Sequence, residues 1–389
     1  MAFKPALRLV ASNVQRFLAL QSASGIVLAC AALLAMVVAN SSLGPLYRES
    51  LHVQLGPLTL EAWINDVLMA IFFFVVGMEI KFELSDGALA SRDRAIFPVV
   101  AALGGMVAPA LIYAAFNHGT DAASGWGIPM ATDIAFAVGV LTLLGKRVPV
   151  ALKVFLLALA IADDLGAVIV IAVFYSTGVK LLSLLAAGVL CATIWWLAKK
   201  NVRQIPLHVA LGAGLWFLVH DSGIHATIAG CALGFLMPHD DDNPDDETPL
   251  ERWVARLHPV VGFAIMPIFA FANAGLSFEG LDWRAAFASP LVSGIGYGLF
   301  IGKPLGIFGF SWMAEKLGLA RRPEGVGSLQ LFGVACLGGI GFTMALFVSQ
   351  LALRTEAVLE LAKIGIIAGS LSSALVGLSI LLMASRRRA

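Results

Sequence analysis

Apolar residues run along this chain in long blocks, separated by short polar segments, without period-two alternation. A helix that is apolar on all sides belongs in lipid or in the core of a large protein. Crossing the hydrocarbon takes roughly 20 residues. Twelve spans are predicted, over about 15–39, 60–85, 95–117, 122–144, 149–175, 181–199, 205–220, 223–237, 257–275, 288–312, 328–351 and 357–384. The seventh and eighth are short. No water is available in a bilayer to satisfy backbone groups, so only helices or a closed barrel can span it. The blocks are too long for barrel strands. The expected fold is an all-α membrane protein of about twelve transmembrane helices, forming one polytopic domain over 1–389.

Composition agrees with the pattern. Hydrophobic residues make up 59% of the chain and charged residues 13%, with a mean hydropathy of +0.88. Soluble domains run nearer 45–50% and about 25%. The lipid bilayer is therefore the first partner. A net charge of +1 implies no polyanion, and no nucleic acid. Cys30, Cys191, Cys231 and Cys336 sit singly in apolar runs and read as small hydrophobes. Lys4, Arg8 and Arg16 precede the first apolar run as in a signal peptide. That run, 17–38, is long enough to span and has no clear cleavage site, so a retained first helix is expected.

Charge then sets orientation. Loops on one side and both termini hold 20 of the 26 basic residues, the other side 5, and Lys303 lies within a span. The positive-inside rule puts both termini in the cytoplasm and requires an even number of crossings. Two loops carry further signals. In 42–61, alternation around Gly56-Pro57 predicts a small external β-hairpin. Its edge, over 45–60, is a candidate homodimer contact, with an ordinary surface loop as the alternative. The acidic run Asp240–Glu247 reads as a solvated cytoplasmic segment, with cation attraction as the lesser reading.

Chemistry is sought among the few ionisable groups deep in the spans. A charge at the bilayer centre costs about 2.5–3.5 kcal/mol even on the lenient scale, so each one points to function. The deep groups are Asp133, Asp163, Asp164 and Lys303. Asp133 and Asp163 flank the turn near 148 by fifteen residues each, at similar depth. Asp163 and Asp164 diverge by about 100° on one helix. One of them can face a cavity while the other meets a neighbouring helix. Lys303, the single buried cation, is expected to pair with one of the carboxylates. Burial favours a protonated carboxyl, and a hard cation offered oxygen ligands gives the same relief. Proton and cation then compete, and alternating exposure of such a site produces exchange. A purely structural salt bridge accounts for one pair and leaves two carboxylates over.

Helix breakers surround these groups. Gly127 and Pro129 precede Thr132 and Asp133 in the fourth span, and Gly338, Gly339 and Gly341 interrupt the eleventh. Irregular backbone in a membrane is tolerated where it lines a cavity or is buried in protein. The broken spans are the middle members of 95–175 and 288–384, which start in opposite directions. That is the arrangement of inverted repeats around an ion site. Asp133 can balance positive half-helix ends, and Lys303 negative ones. Thr132 adds a hydroxyl. Close helix packing is the alternative for the glycines. His225 sits near an external end, and Glu79, Glu83 and His258 near cytoplasmic ends. Solvated ends are the ordinary reading, and titration near neutral pH the functional one.

Five motifs together resemble the NhaA-type sodium/proton antiporters along essentially the whole chain. They are Phe72–Ile80 (FFFVVGMEI), Ala131–Ala137 (ATDIAFA), Ala160–Gly166 (AIADDLG), Phe269–Gly275 (FAFANAG) and Gly338–Met344 (GGIGFTM). The resemblance implies twelve spans with the fourth and eleventh broken and crossing. It implies that Asp163 and Asp164 bind Na+ or Li+ and carry H+, while Asp133 and Lys303 balance helix ends, with Lys303 able to pair with Asp163. It implies electrogenic exchange, more protons than sodium, in a bacterial inner membrane, switched on at alkaline pH, with no cofactor. Glu79, Glu83 and His225 match positions linked to pH response. Around Glu251 the chain departs from the family pattern, since no acid aligns ahead of Leu257-His258-Pro259.

Two other classes are set against this one. An intramembrane aspartyl protease needs two carboxyls sharing a proton. Asp133 and Asp163 are candidates, but neither follows a Gly-x-Gly-Asp segment. A passive cation channel also tolerates broken helices, yet an acidic pair beside a buried lysine traps ions more readily than it conducts them.

Overall fold

The computed structural model describes residues 23–87, 89–176, 178–200, 205–239 and 248–386. The beginning of the first expected span, the acidic run 240–247 and the basic residues Lys4, Arg8, Arg16, Arg203, Arg387 and Arg388 lie outside them.

The protein is an all-α membrane protein. Among the described residues, seven helices are long and apolar enough to cross a bilayer, or up to nine if each of two bent pairs is one span. In the first pair, α1 (Ala23–Ala39) turns by 114° into the short α2 (Gly44–Leu51). The hairpin follows, with β1 (Gln54–Leu55) pairing antiparallel to β2 (Leu58–Thr59). Gly56 opens its two-residue turn at φ +69, which is the demand of a type II′ hairpin, and Pro57 supplies the fixed negative φ after it.

The π-helical stretch Trp63–Leu68 leads into α3 (Met69–Ser85), followed by α4 (Arg92–Asn117). The expected fourth span divides into a 3-10 stretch, Ala123–Met130, and α5 (Ile134–Leu143). Next come α6 (Val150–Phe174), α7 (Leu181–Lys199) and the shorter α8 (Ile205–Asp221) and α9 (Thr227–Leu236). Then α10 (Pro249–Val260) and α11 (Met266–Asn273) flank a π turn at Val261–Ile265. The short α12 (Trp283–Ala288) precedes α13 (Pro290–Tyr297), which joins α14 (Lys303–Lys316) through a π turn at Gly298–Gly302. The second bent pair is α15 (Ser328–Gly338) and α16 (Phe342–Ala352), at 44°. The last helix is α17 (Glu356–Arg386).

Two of the π turns have a common cause. Pro267 and Pro304 each stand second in the helix that follows, where the missing N–H and the bulky ring disturb the preceding turn. The second of these turns ends immediately before Lys303.

Small residues let the helices come close. A Cβ on Gly104 would collide with the Gly306 carbonyl oxygen, and one on Gly306 with that of Gly104, so α4 and α14 touch backbone to backbone. Gly230 and Gly234 of α9 lie likewise on the Ala70 and Phe74 carbonyls of α3. Substitution of Gly306 by valine is expected to lower the thermal midpoint in detergent by several degrees, because overpacking typically costs about 1–3 kcal/mol. Valine at Gly309 of the same helix, where an added Cβ meets nothing within 4 Å, serves as the control. Equal losses at the two positions would refute the tight crossing.

Candidate functional site

The breaks fall in mid-molecule. Gly127 and Pro129 remain within the 3-10 stretch, and the chain becomes extended only over 131–133, one turn later than their positions suggest. In the other broken helix, Gly338 closes α15, Gly339 is its C-cap and Gly341 is the N-cap of α16. Breaking and packing coincide here. A Cβ on Gly339 would strike the Leu299 carbonyl, and one on Gly341 would press on the Ala131 carbonyl at 3.0 Å. The two interruptions meet, because Asp133 N–H donates to the Ile340 carbonyl at 2.7 Å.

Four half-helix ends therefore converge away from water, each with unsatisfied backbone groups. Asp133, 1% exposed, serves the two N-terminal ends. Its Oδ1 accepts from Phe136 N–H at 3.1 Å, capping α5. Its Oδ2 accepts from Thr343 N–H at 3.1 Å, at the start of α16, and from the Thr343 hydroxyl. A carboxylate suits the positive ends of helix dipoles. The negative ends are served by Thr132 and Lys303. The Thr132 hydroxyl donates to the Gly338 carbonyl at 2.9 Å. Lys303 is fully buried, and its ammonium donates to the Met130 carbonyl at 2.5 Å, to Asp163 Oδ2 at 2.6 Å and to the Thr132 hydroxyl oxygen. An ammonium has three N–H donors, so every one is used.

Asp163 and Asp164 occupy neighbouring positions of α6, both 2% exposed, and point apart. Asp163 meets Lys303. Asp164 lines a cavity of about 50 Å3 together with Thr132, Asp133, Glu79 and His258. That volume holds a few waters at about 10–15 Å3 each. Among the described residues, Oδ1 of Asp163 and Oδ1 of Asp164 are buried and have no hydrogen-bond partner. Buried polar atoms are nearly always paired, so two bare carboxylate oxygens on successive residues need an explanation. A structural salt bridge explains half of Asp163 and nothing of Asp164.

The remaining titratable candidates divide between two places. Glu79 of α3 is 3.5 Å from His258 Nε2 on α10, and both line the cavity. Glu83 is one turn further along α3, half-buried. His225 belongs elsewhere, 3.5 Å from Asp66, with its Nδ1 2.8 Å from the Thr227 hydroxyl and its ring edge-on to Phe347.

A model of the Na+/H+ antiporter 1 family matches residues 15–381. The chain belongs to this family. An Na(+)/H(+) antiporter NhaA of Vibrio cholerae is 50% identical over 371 residues, covering 95% of this chain and 97% of that one. One from Aliivibrio fischeri is 49% identical over 379 residues, covering 97% and 99%. One from Vibrio alginolyticus is 49% identical over 371 residues. The likeness drawn from the five motifs thus extends along the chain.

Within this member of the Na+/H+ antiporter 1 family, two polar groupings escaped the sequence reading. Thr343, fully buried, binds Asp133. It lies in the Gly338–Met344 motif, where a hydroxyl two residues past the last glycine is the available signal. The other is an amide cluster. Asn273 Nδ2 donates to Asn65 Oδ1 at 2.8 Å, and Gln350 Nε2 donates to Asn273 Oδ1 at 3.0 Å, tying α11 to the turn before α3 and to α16. Nothing in the spacing of these three amides predicts that they meet.

Proposed function

We propose that this sodium/proton antiporter exchanges its ions at Asp163 and Asp164. The observation that carries the reading is the pair of partnerless carboxylate oxygens beside a lysine whose donors are all used. A carboxylate in such a place takes up a proton or a cation. Na+ and Li+ are hard ions that prefer oxygen ligands, and Thr132 and the two aspartates offer them. Arrival of one ion on Asp164 expels the other. Asp163 joins the site when Lys303 lets go of it, and the second proton rides on Asp163 or on Lys303. Asp133 stays with the helix ends and keeps the crossing together.

Two protons inward for one sodium outward move net charge. The membrane potential then contributes about 2.3 kcal/mol per charge per 100 mV, enough to drive sodium out of a cytoplasm. The proposed setting is a bacterial inner membrane crossed twelve times, with both termini inside and 95–175 and 288–384 as inverted repeats. The broken middle helix of each block supports that arrangement. Activity at alkaline pH is assigned to Glu79, Glu83 and His258 near the cavity mouth, and to His225 with Asp66 on the other cluster. Homodimerisation is assigned to the hairpin, whose first strand is exposed.

The test is reconstitution into vesicles holding a pH dye. A Na+ or Li+ pulse is expected to dissipate a preformed pH gradient, and K+ is not. Clamping the potential with valinomycin and K+ is expected to speed the response. Exchange that ignores the clamp would disprove net charge movement, and no response to sodium would remove the reading altogether.

A further inference from the structure

The N-terminus of α16 poses a question of its own. A helix start leaves four N–H groups without partners inside the helix. Its N-cap is Gly341, which has no side chain to accept them. The site assigned above accounts for one, since Thr343 N–H goes to Asp133. Two others go to a residue far along the chain. Gly341 N–H and Phe342 N–H both donate to the Ser370 hydroxyl oxygen, each at 3.2 Å. Ser370 belongs to α17 and is 6% exposed. A side chain at 341 could not take its place, because a Cβ there would meet Leu299 Cδ2 at 2.8 Å and the Ala131 carbonyl at 3.0 Å. The cap is supplied from a different helix because the crossing has no room for one of its own.

We propose that Ser370 is a positioning residue of the exchange site, capping α16 in trans and thereby setting the field that its N-terminus exerts on Asp133 and the Asp164 cavity. The inference rests on the reading of Asp164 as the exchange carboxylate. Its physical content is electrostatic. An uncapped helix start carries about half a positive charge. Ser370 absorbs two N–H groups with a neutral acceptor, so Asp133 has only one amide and one hydroxyl of α16 to satisfy. Without that hydroxyl, two more N–H dipoles stand unopposed at the start of α16, next to the Thr343 amide that binds Asp133, whose carboxylate lines the cavity. A positive end beside the cavity opposes Na+ and leaves the protein conformations that carry the ion across unchanged.

The predicted signature is therefore a split between affinity and turnover. In vesicles, Ser370→Ala is expected to raise the apparent KM for Na+ about three- to tenfold, the range of a helix-end charge interaction, while the saturating rate stays within about twofold. Ser370→Thr, which keeps the acceptor, is expected to restore the wild-type KM. Ser370→Cys, a weaker acceptor of similar size, should fall between them. If the alanine variant does not fold, the cysteine variant carries the measurement. A fall in thermal midpoint with unchanged KM would make Ser370 a structural cap only and overturn the proposal, as would a KM shift that threonine does not rescue. The wild-type protein in the same vesicles keeps the two readings apart. If it exchanges Na+ for H+ and Asp164→Asn does not, the exchange reading stands whatever Ser370 does.

Discussion

Asp164→Asn abolishes exchange, with initial rates expected to fall at least about a hundredfold. The magnitude follows from what the amide cannot do. It holds neither the exchanged proton nor the negative charge that replaces sodium's water. Several kcal/mol of ion desolvation are then uncompensated, and each 1.36 kcal/mol is a factor of ten. Packing should survive, since asparagine has nearly the same shape and Asp164 Oδ1 has no hydrogen bond to lose. The measurement is sodium-driven dissipation of a pH gradient in vesicles, with thermal stability in parallel. Retained exchange at even a tenth of the wild-type rate would remove Asp164 from the centre of the mechanism.

The second large effect concerns Lys303 and Asp163. Their contact at 2.6 Å is a buried ion pair in which side-chain exposure is 1% and 3%. Removing one partner from such a pair strands a charge and typically costs about 3–5 kcal/mol. Removing both is far milder. Lys303→Met and Asp163→Asn are each expected to lower the thermal midpoint strongly, and the double variant is expected to regain most of the loss. Such non-additivity is the mark of groups in contact. All three variants are expected to lose electrogenic exchange, read as transported charge on a solid-supported membrane. Additive losses in stability would mean that the pair does not act as a unit.

The sequence made some of this legible and concealed the rest. Ionisable residues in apolar blocks are conspicuous because lipid tolerates so few, and Asp133, Asp163, Asp164 and Lys303 stood out for that reason. Adjacency on one helix dictated that Asp163 and Asp164 point apart. Depth and spacing left three carboxylates open as partners of the lysine, and only the family resemblance pointed to Asp163, which the Lys303 side chain reaches from the start of α14. Glycine runs marked both broken helices to within a turn. In the first the extended residues are 131–133, past Pro129, because the 3-10 stretch absorbs Gly127 and Pro129. The hairpin was legible from Gly56-Pro57, but the helix Gly44–Leu51 before it was not. Ser370 and Gln350 left no trace in the pattern. Ser370 is one of five serines in α17 and Gln350 follows Ser349 in the eleven-residue α16, and the role of each depends on a partner more than twenty-five residues away.

One backbone bond constrains how the molecule can move. The Asp133 amide held by the Ile340 oxygen stitches together two stretches of irregular chain inside the protein. Pulling either broken helix aside alone would break that bond and cost both groups their partner. The crossed pair is therefore expected to travel as a single block. Access would then change sides as neighbouring helices slide past that block, without the crossing itself opening.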